Sequence, residues 1–260
     1  MNAEVILNLL QTAVLVFVFL ETIRLLARSE HSVQLVFYGF AAASVLLSDL
    51  YWLAYDVLRP ETRMPFAANE IGEWAMFLLL GAALTARHPI RFQSAKRELV
   101  GAILFAAACT ALWIAWSGEW VQDILTGVSL GYFLCALVSR IRLEAAFSTR
   151  DWLRLGCTCC ILIVAQTAIF FVPGPAAKPL DLFCYVLLFA AALAFLVRAV
   201  LTLRKEDSPT QGVCHAFVAF AWSITAMYMS SGGFYFAAFV LATLCLPLML
   251  LALKKEAALV

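Results

Sequence analysis

Residues 48–77 read SDLYWLAYDVLRPETRMPFAANEIGEWAMF. Four carboxylates (Asp49, Asp56, Glu70 and Glu73) stand here with Asn69 and the aromatics Tyr51, Trp52, Tyr55 and Trp74. On both sides the chain is apolar for long enough to cross a bilayer, which takes about 20 residues. The stretch therefore reads as two membrane helices joined by a charged external turn around Arg59–Arg63. Pro65 suits the first turn of the second helix, where its missing N–H is not needed.

The same pattern repeats along the chain. Of 260 residues, 64% are hydrophobic and 13% charged, and the mean hydropathy is +0.93. Soluble domains carry about a quarter charged residues. Nine segments are predicted as spans: Val5–Ala27, Val33–Asp56, Phe66–Ala86, Leu99–Trp116, Val121–Ser139, Leu153–Val172, Leu180–Leu203, Val213–Ser230 and Gly233–Leu253. Ser231 and Gly232 leave only a tight turn between the last two, so a hairpin of full spans and a re-entrant pair both fit. The N-terminal run lacks the basic start and small-residue cleavage site of a secretory signal and reads as the first span.

Lys and Arg are biased toward cytoplasmic loops. With alternating spans, fifteen of the eighteen basic residues fall on one side, leaving Arg59, Arg63 and Lys178 on the other. The expectation is an all-α polytopic bundle in the cell membrane, its N-terminus outside and its C-terminus cytoplasmic. Residues 1–260 form a single transmembrane domain in this reading, with no extramembrane domain. The basic face should meet anionic lipid head groups, and pairs such as Glu21 with Arg24 and Arg140 with Glu144 should lessen the cost of their burial.

Helical geometry narrows the acidic stretch. A rise of 1.5 Å per residue puts Asp49 roughly 10 Å below Asp56, and Glu73 roughly 12 Å below Pro65, so Asp49 and Glu73 reach similar depth on adjacent helices. Asp49, Trp52 and Asp56 share one face, and Asn69 and Glu73 share another. Ionisable groups inside the hydrocarbon layer face the bundle interior or a watery cavity and mark ion or substrate paths. Asp49, Glu73, Trp52, Asn69, Asp56 and Glu70 are thus the candidate substrate- or ion-binding residues, with Asp56 and Glu70 also readable as solvated at the interface. Asn8, Gln11, Asp123, Thr126, Gln166, Thr225 and Tyr228 reach comparable depth. They suggest an outward-facing polar pocket bounded by the first three spans, with the sixth and eighth as further candidates.

Carboxylates beside aromatic faces suit an organic cation. The competing reading of the aromatics is an interfacial belt, which Trp113, Trp116 and Trp120 fit well. His31, His88 and His215 fall on the cytoplasmic side, away from the acids, so no metal site is expected. Cys157, Cys159 and Cys160 lie inside a span and read as helix-packing residues. There is no Gly-x-Ser-x-Gly, no phosphate-cradling glycine loop and no nucleic-acid signature. No catalytic residue, metal or cofactor is assigned.

These features favour transport or capture of a small solute, cationic or proton-coupled. Two other classes remain open from sequence. One is a membrane sensor or accessory subunit signalling through a separate protein partner. The other is an intramembrane enzyme that uses Asp49 and Glu73 as acid and base on a lipid or envelope precursor.

Overall fold

The computed structural model describes residues 3–28, 32–58, 68–172, 174–205 and 209–258. Among the described residues the chain is all-helical, with no strand. The helices are α1 (Ala3–Ala27), α2 (Val33–Leu58), α3 (Ala68–Thr85), α4 (Lys96–Ser117), α5 (Trp120–Leu143), α6 (Thr149–Ile169), α7 (Lys178–Arg204), α8 (Pro209–Tyr228) and α9 (Gly232–Ala257). A single 3-10 turn, Gly174–Ala176, precedes α7. Seven helices are long and apolar enough to cross a membrane; α3 and α8 fall outside that set. The chain is thus a multi-pass helical bundle of membrane-protein character.

Helix ends follow local chemistry. Ser148 and Asp151 form a reciprocal capping box that starts α6, satisfying two backbone donors at once. Gly118 ends α4 in the left-handed conformation. Gly232 (φ +59°) opens α9, so α8 and α9 are separate helices of 20 and 26 residues joined through residues 229–231.

α8 is the centre of the bundle, buried almost without interruption from Gly212 to Ala226. It packs against α7, α9 and α5. Phe133 of α5 meets Phe217 and Phe220 of α8, and Phe105 of α4 meets Trp222 edge-on. Around this core, α1, α2 and α3 form a sequential group that α9 closes by packing on α1 and α2.

The polar contacts between helices gather the basic ends at one face. Glu256 at the end of α9 accepts from Arg140 of α5 at 2.5 and 2.6 Å. Arg87, just after α3, approaches it to 3.2 Å, and Gln34 of α2 to 3.4 Å. Both Arg140 and Glu256 side chains are 0% exposed. Two sequence expectations are corrected here. Arg140 does not pair with Glu144, whose Oε1 instead lies 2.9 Å from His88 Nε2, and Arg140 is sealed within the bundle, where no head group reaches it. The cause is α9, whose last turn brings a carboxylate to the α5 guanidinium from 116 residues away. The expected Glu21–Arg24 pair is present at 2.5 Å.

Candidate functional site

Small residues bring the two acidic helices together. A Cβ on Gly72 would stand 2.8 Å from the Ser44 carbonyl oxygen and 2.9 Å from Ser48 Cβ, so α2 and α3 touch almost backbone to backbone. Ser48 directly precedes Asp49, and Gly72 directly precedes Glu73. Both carboxylates line a single cavity of about 310 Å3 at the end of the bundle away from the basic cluster.

Its wall comes from α1, α2, α3, α8 and α9. α1 gives Asn8 and Gln11, α2 gives Asp49 and Trp52, and α3 gives Glu73. α8 adds Tyr228, and α9 adds Tyr235, Phe236 and Phe239. Among the described residues, no Lys, Arg or His lines it. Asp49 is 8% exposed and Trp52 38%, so the acid is set deep and the indole lies nearer the opening of its face.

Each carboxylate has a neutral polar partner from a distant helix. Tyr228 Oη donates to Glu73 Oε2, and the Tyr228 ring is held against Trp113 at 5.5 Å between centroids. The Gln11 amide lies between Asp49 and Thr243. With its nitrogen toward the acid, it donates to Asp49 Oδ2 at 3.0 Å and Oδ1 at 3.3 Å while its oxygen accepts from Thr243 Oγ1 at 3.1 Å. Turned over, its oxygen faces the carboxyl and its nitrogen donates to Thr243 Oγ1 at 3.1 Å. That hydroxyl in turn reaches the Phe239 carbonyl at 2.9 Å.

No known protein family, characterised protein or solved structure matches the chain.

Of the six candidate residues, Asp49, Glu73 and Trp52 meet in the cavity. The side chains of Asp56 and Asn69 lie outside the described part of the structure, as do Arg59, Glu61, Arg63 and His31. Glu70 is one helical turn from Glu73 on α3 and does not line the cavity.

The wider polar set divides. Asn8, Gln11 and Tyr228 line the cavity. Thr126 instead accepts from Trp74 Nε1 at 2.9 Å, and Asp123 accepts from Ser117 at 2.6 Å. Gln166 is buried on α6, away from this space. The expected sixth-span wall is thus replaced by α9, whose lining residues are aromatic or aliphatic and carry no charge to mark them. The aromatic run at 234–236, just past the α8–α9 turn, was the available signal. Trp113 also departs from the interfacial belt: it is buried at 6% exposure, whereas Trp120 is 62% exposed.

Among the described residues, no three His, Cys, Asp or Glu side chains are grouped to hold a metal ion.

Proposed function

We propose that this protein captures and moves a small organic cation, or a solute coupled to protons, through the acidic cavity between α1, α2, α3, α8 and α9. One observation carries this reading: among the described residues, two carboxylates and no cationic side chain line a half-buried cavity. Such a space has an unneutralised demand for positive charge, since an ionised carboxylate away from water needs a counter-charge or a proton. Trp52, Tyr228, Tyr235 and Phe236 supply ring faces that attract ammonium groups. A volume of about 310 Å3 is at the small end of ligand pockets, which favours a compact ion such as an alkylammonium.

Proton coupling draws support from Gln11. Its amide nitrogen donates to both oxygens of Asp49 while its oxygen accepts from Thr243 Oγ1. A primary amide carries both a donor and an acceptor end, so by turning over it can partner either the ionised or the protonated acid.

In this reading all nine helices cross the cell membrane, with the N-terminus outside and the basic face cytoplasmic. The cavity then faces outward. On α9, Glu256 lies ten residues beyond the lining residue Leu246, about 15 Å further in, and its ion cluster closes the path on the cytoplasmic side.

The test is uptake and binding of alkylammonium ions, choline among them, by the full chain in proteoliposomes with and without a pH gradient. Asp49→Asn with Glu73→Gln should abolish both. Uptake or binding that is unchanged in the double variant would refute the proposal.

A further inference from the structure

A second space, of about 680 Å3, runs between α4, α5 and α6 and is floored by α8. Its wall is apolar along Phe105, Leu137, Trp152, Ile163, Val218 and Trp222. Two glycines hold it open: a Cβ on Gly101 of α4 or on Gly156 of α6 would meet nothing within 4 Å. The charged lining residues, Arg97 and Glu98, stand together at one end. Arg142 approaches Glu98 to 3.6 Å, and Lys96 neighbours Arg97 and is exposed. Lys96 and Arg142 thus flank a mouth whose own charged lining is Arg97 and Glu98, while the Asp151 carboxylate beside Trp152 is already bonded to Arg198. The mouth also holds the amino end of α4, where Ala95 provides no side-chain cap and the helix dipole favours an anion.

Length and charge select the occupant. The α4 wall runs from Arg97 to Ala108 and the α6 wall from Trp152 to Val164, which is about 16 and 18 Å of helix. Half the hydrocarbon thickness of a bilayer is about 15 Å. The groove therefore starts at the basic face and ends near the membrane midplane. The occupant that matches both the apolar length and the charged end is one lipid, with its head at the cationic mouth and an acyl chain along the apolar length.

We propose that the α4–α6 groove is a specific site for one anionic phospholipid of the leaflet at the basic face. Its phosphate meets Arg97, and an acyl chain lies against Trp152 and Trp222. This goes beyond the general attraction of basic loops for a charged surface, because it fixes one molecule in one groove. It is independent of the acidic cavity.

The two lining tryptophans allow a direct test. The full chain is reconstituted in phosphatidylcholine vesicles with a minor fraction of phosphatidylglycerol, with bromine on the acyl chains of one lipid or the other. The signal is the quenching lost in Trp222→Phe. Brominated phosphatidylglycerol should quench more per mole than brominated phosphatidylcholine, on the order of fivefold for each unpaired cation at the mouth. Arg97→Gln should lower that preference, and Gly156→Leu, which fills open space, should reduce quenching by both lipids. Equal quenching by the two lipids in the wild-type protein would overturn the proposal without recourse to any groove or mouth variant. So would quenching unchanged by Gly156→Leu, or no quenching by either lipid, the result expected if a second copy of the chain covers the groove.

Discussion

Gly72 lies so close to α2 that a Cβ on it would stand 2.9 Å from the Cβ of Ser48. These two residues are the immediate neighbours of Glu73 and Asp49, so the contact that joins the helices also sets the spacing of the acids. Gly72→Val should force α3 away from α2, because the Ser44 backbone oxygen cannot give way. The expected cost is about 1–3 kcal/mol, read as a lower unfolding midpoint, together with loss of cation binding. Gly101→Ala, made in open space, should instead stabilise by about 0.5–1 kcal/mol through helix propensity.

Tyr228→Phe keeps the ring that packs on Trp113 and removes the donor to Glu73. A hydrogen bond to a charged group contributes about 1.5–3 kcal/mol. Cation affinity should fall by at least about tenfold, since each 1.4 kcal/mol is a factor of ten. Titration calorimetry of the purified variant would show this, and an unchanged Kd would separate Tyr228 from the site.

Two tryptophans on adjacent helices should behave differently. Trp52 lines the cavity, and Trp52→Ala should weaken alkylammonium binding by about 0.5–2 kcal/mol. Trp74 donates to Thr126 across the α3–α5 contact. Trp74→Phe should therefore cost about 1 kcal/mol of stability and leave Kd unchanged.

The buried ion cluster should be non-additive. Glu256→Ala leaves the buried Arg140 guanidinium without its counter-charge, an expected loss of about 3–5 kcal/mol. Arg140→Met combined with Glu256→Leu should recover most of that loss, because similar-sized apolar groups replace both charges. Thermal unfolding of the two singles and the double closes the cycle.

Much of the fold was legible because a membrane span is a long-wavelength signal: each of the nine expected segments contains the bulk of one helix. Asp49, Trp52 and Glu73 could be brought to one depth from helical rise alone. Partners were harder to read. Gln11 and Tyr228 were visible as polar residues at the right depth, but their bonds to Asp49 and Glu73 depend on which faces of α1 and α8 turn inward. Apolar helices with little amphipathic contrast do not encode that. The same blindness hid α9 as a cavity wall and assigned Arg140 to Glu144, its nearest carboxylate along the helix, instead of Glu256.

The Arg140–Glu256 contact also bears on biosynthesis. Arg140 belongs to α5, while its carboxylate partner arrives with α9, 116 residues later, after every other described helix has left the ribosome. During that interval the Arg140 guanidinium waits at the basic end of α5 without its counter-ion. Closure of the basic end is therefore a late assembly step: α2, α3 and α5 acquire their common carboxylate only when the last described helix docks.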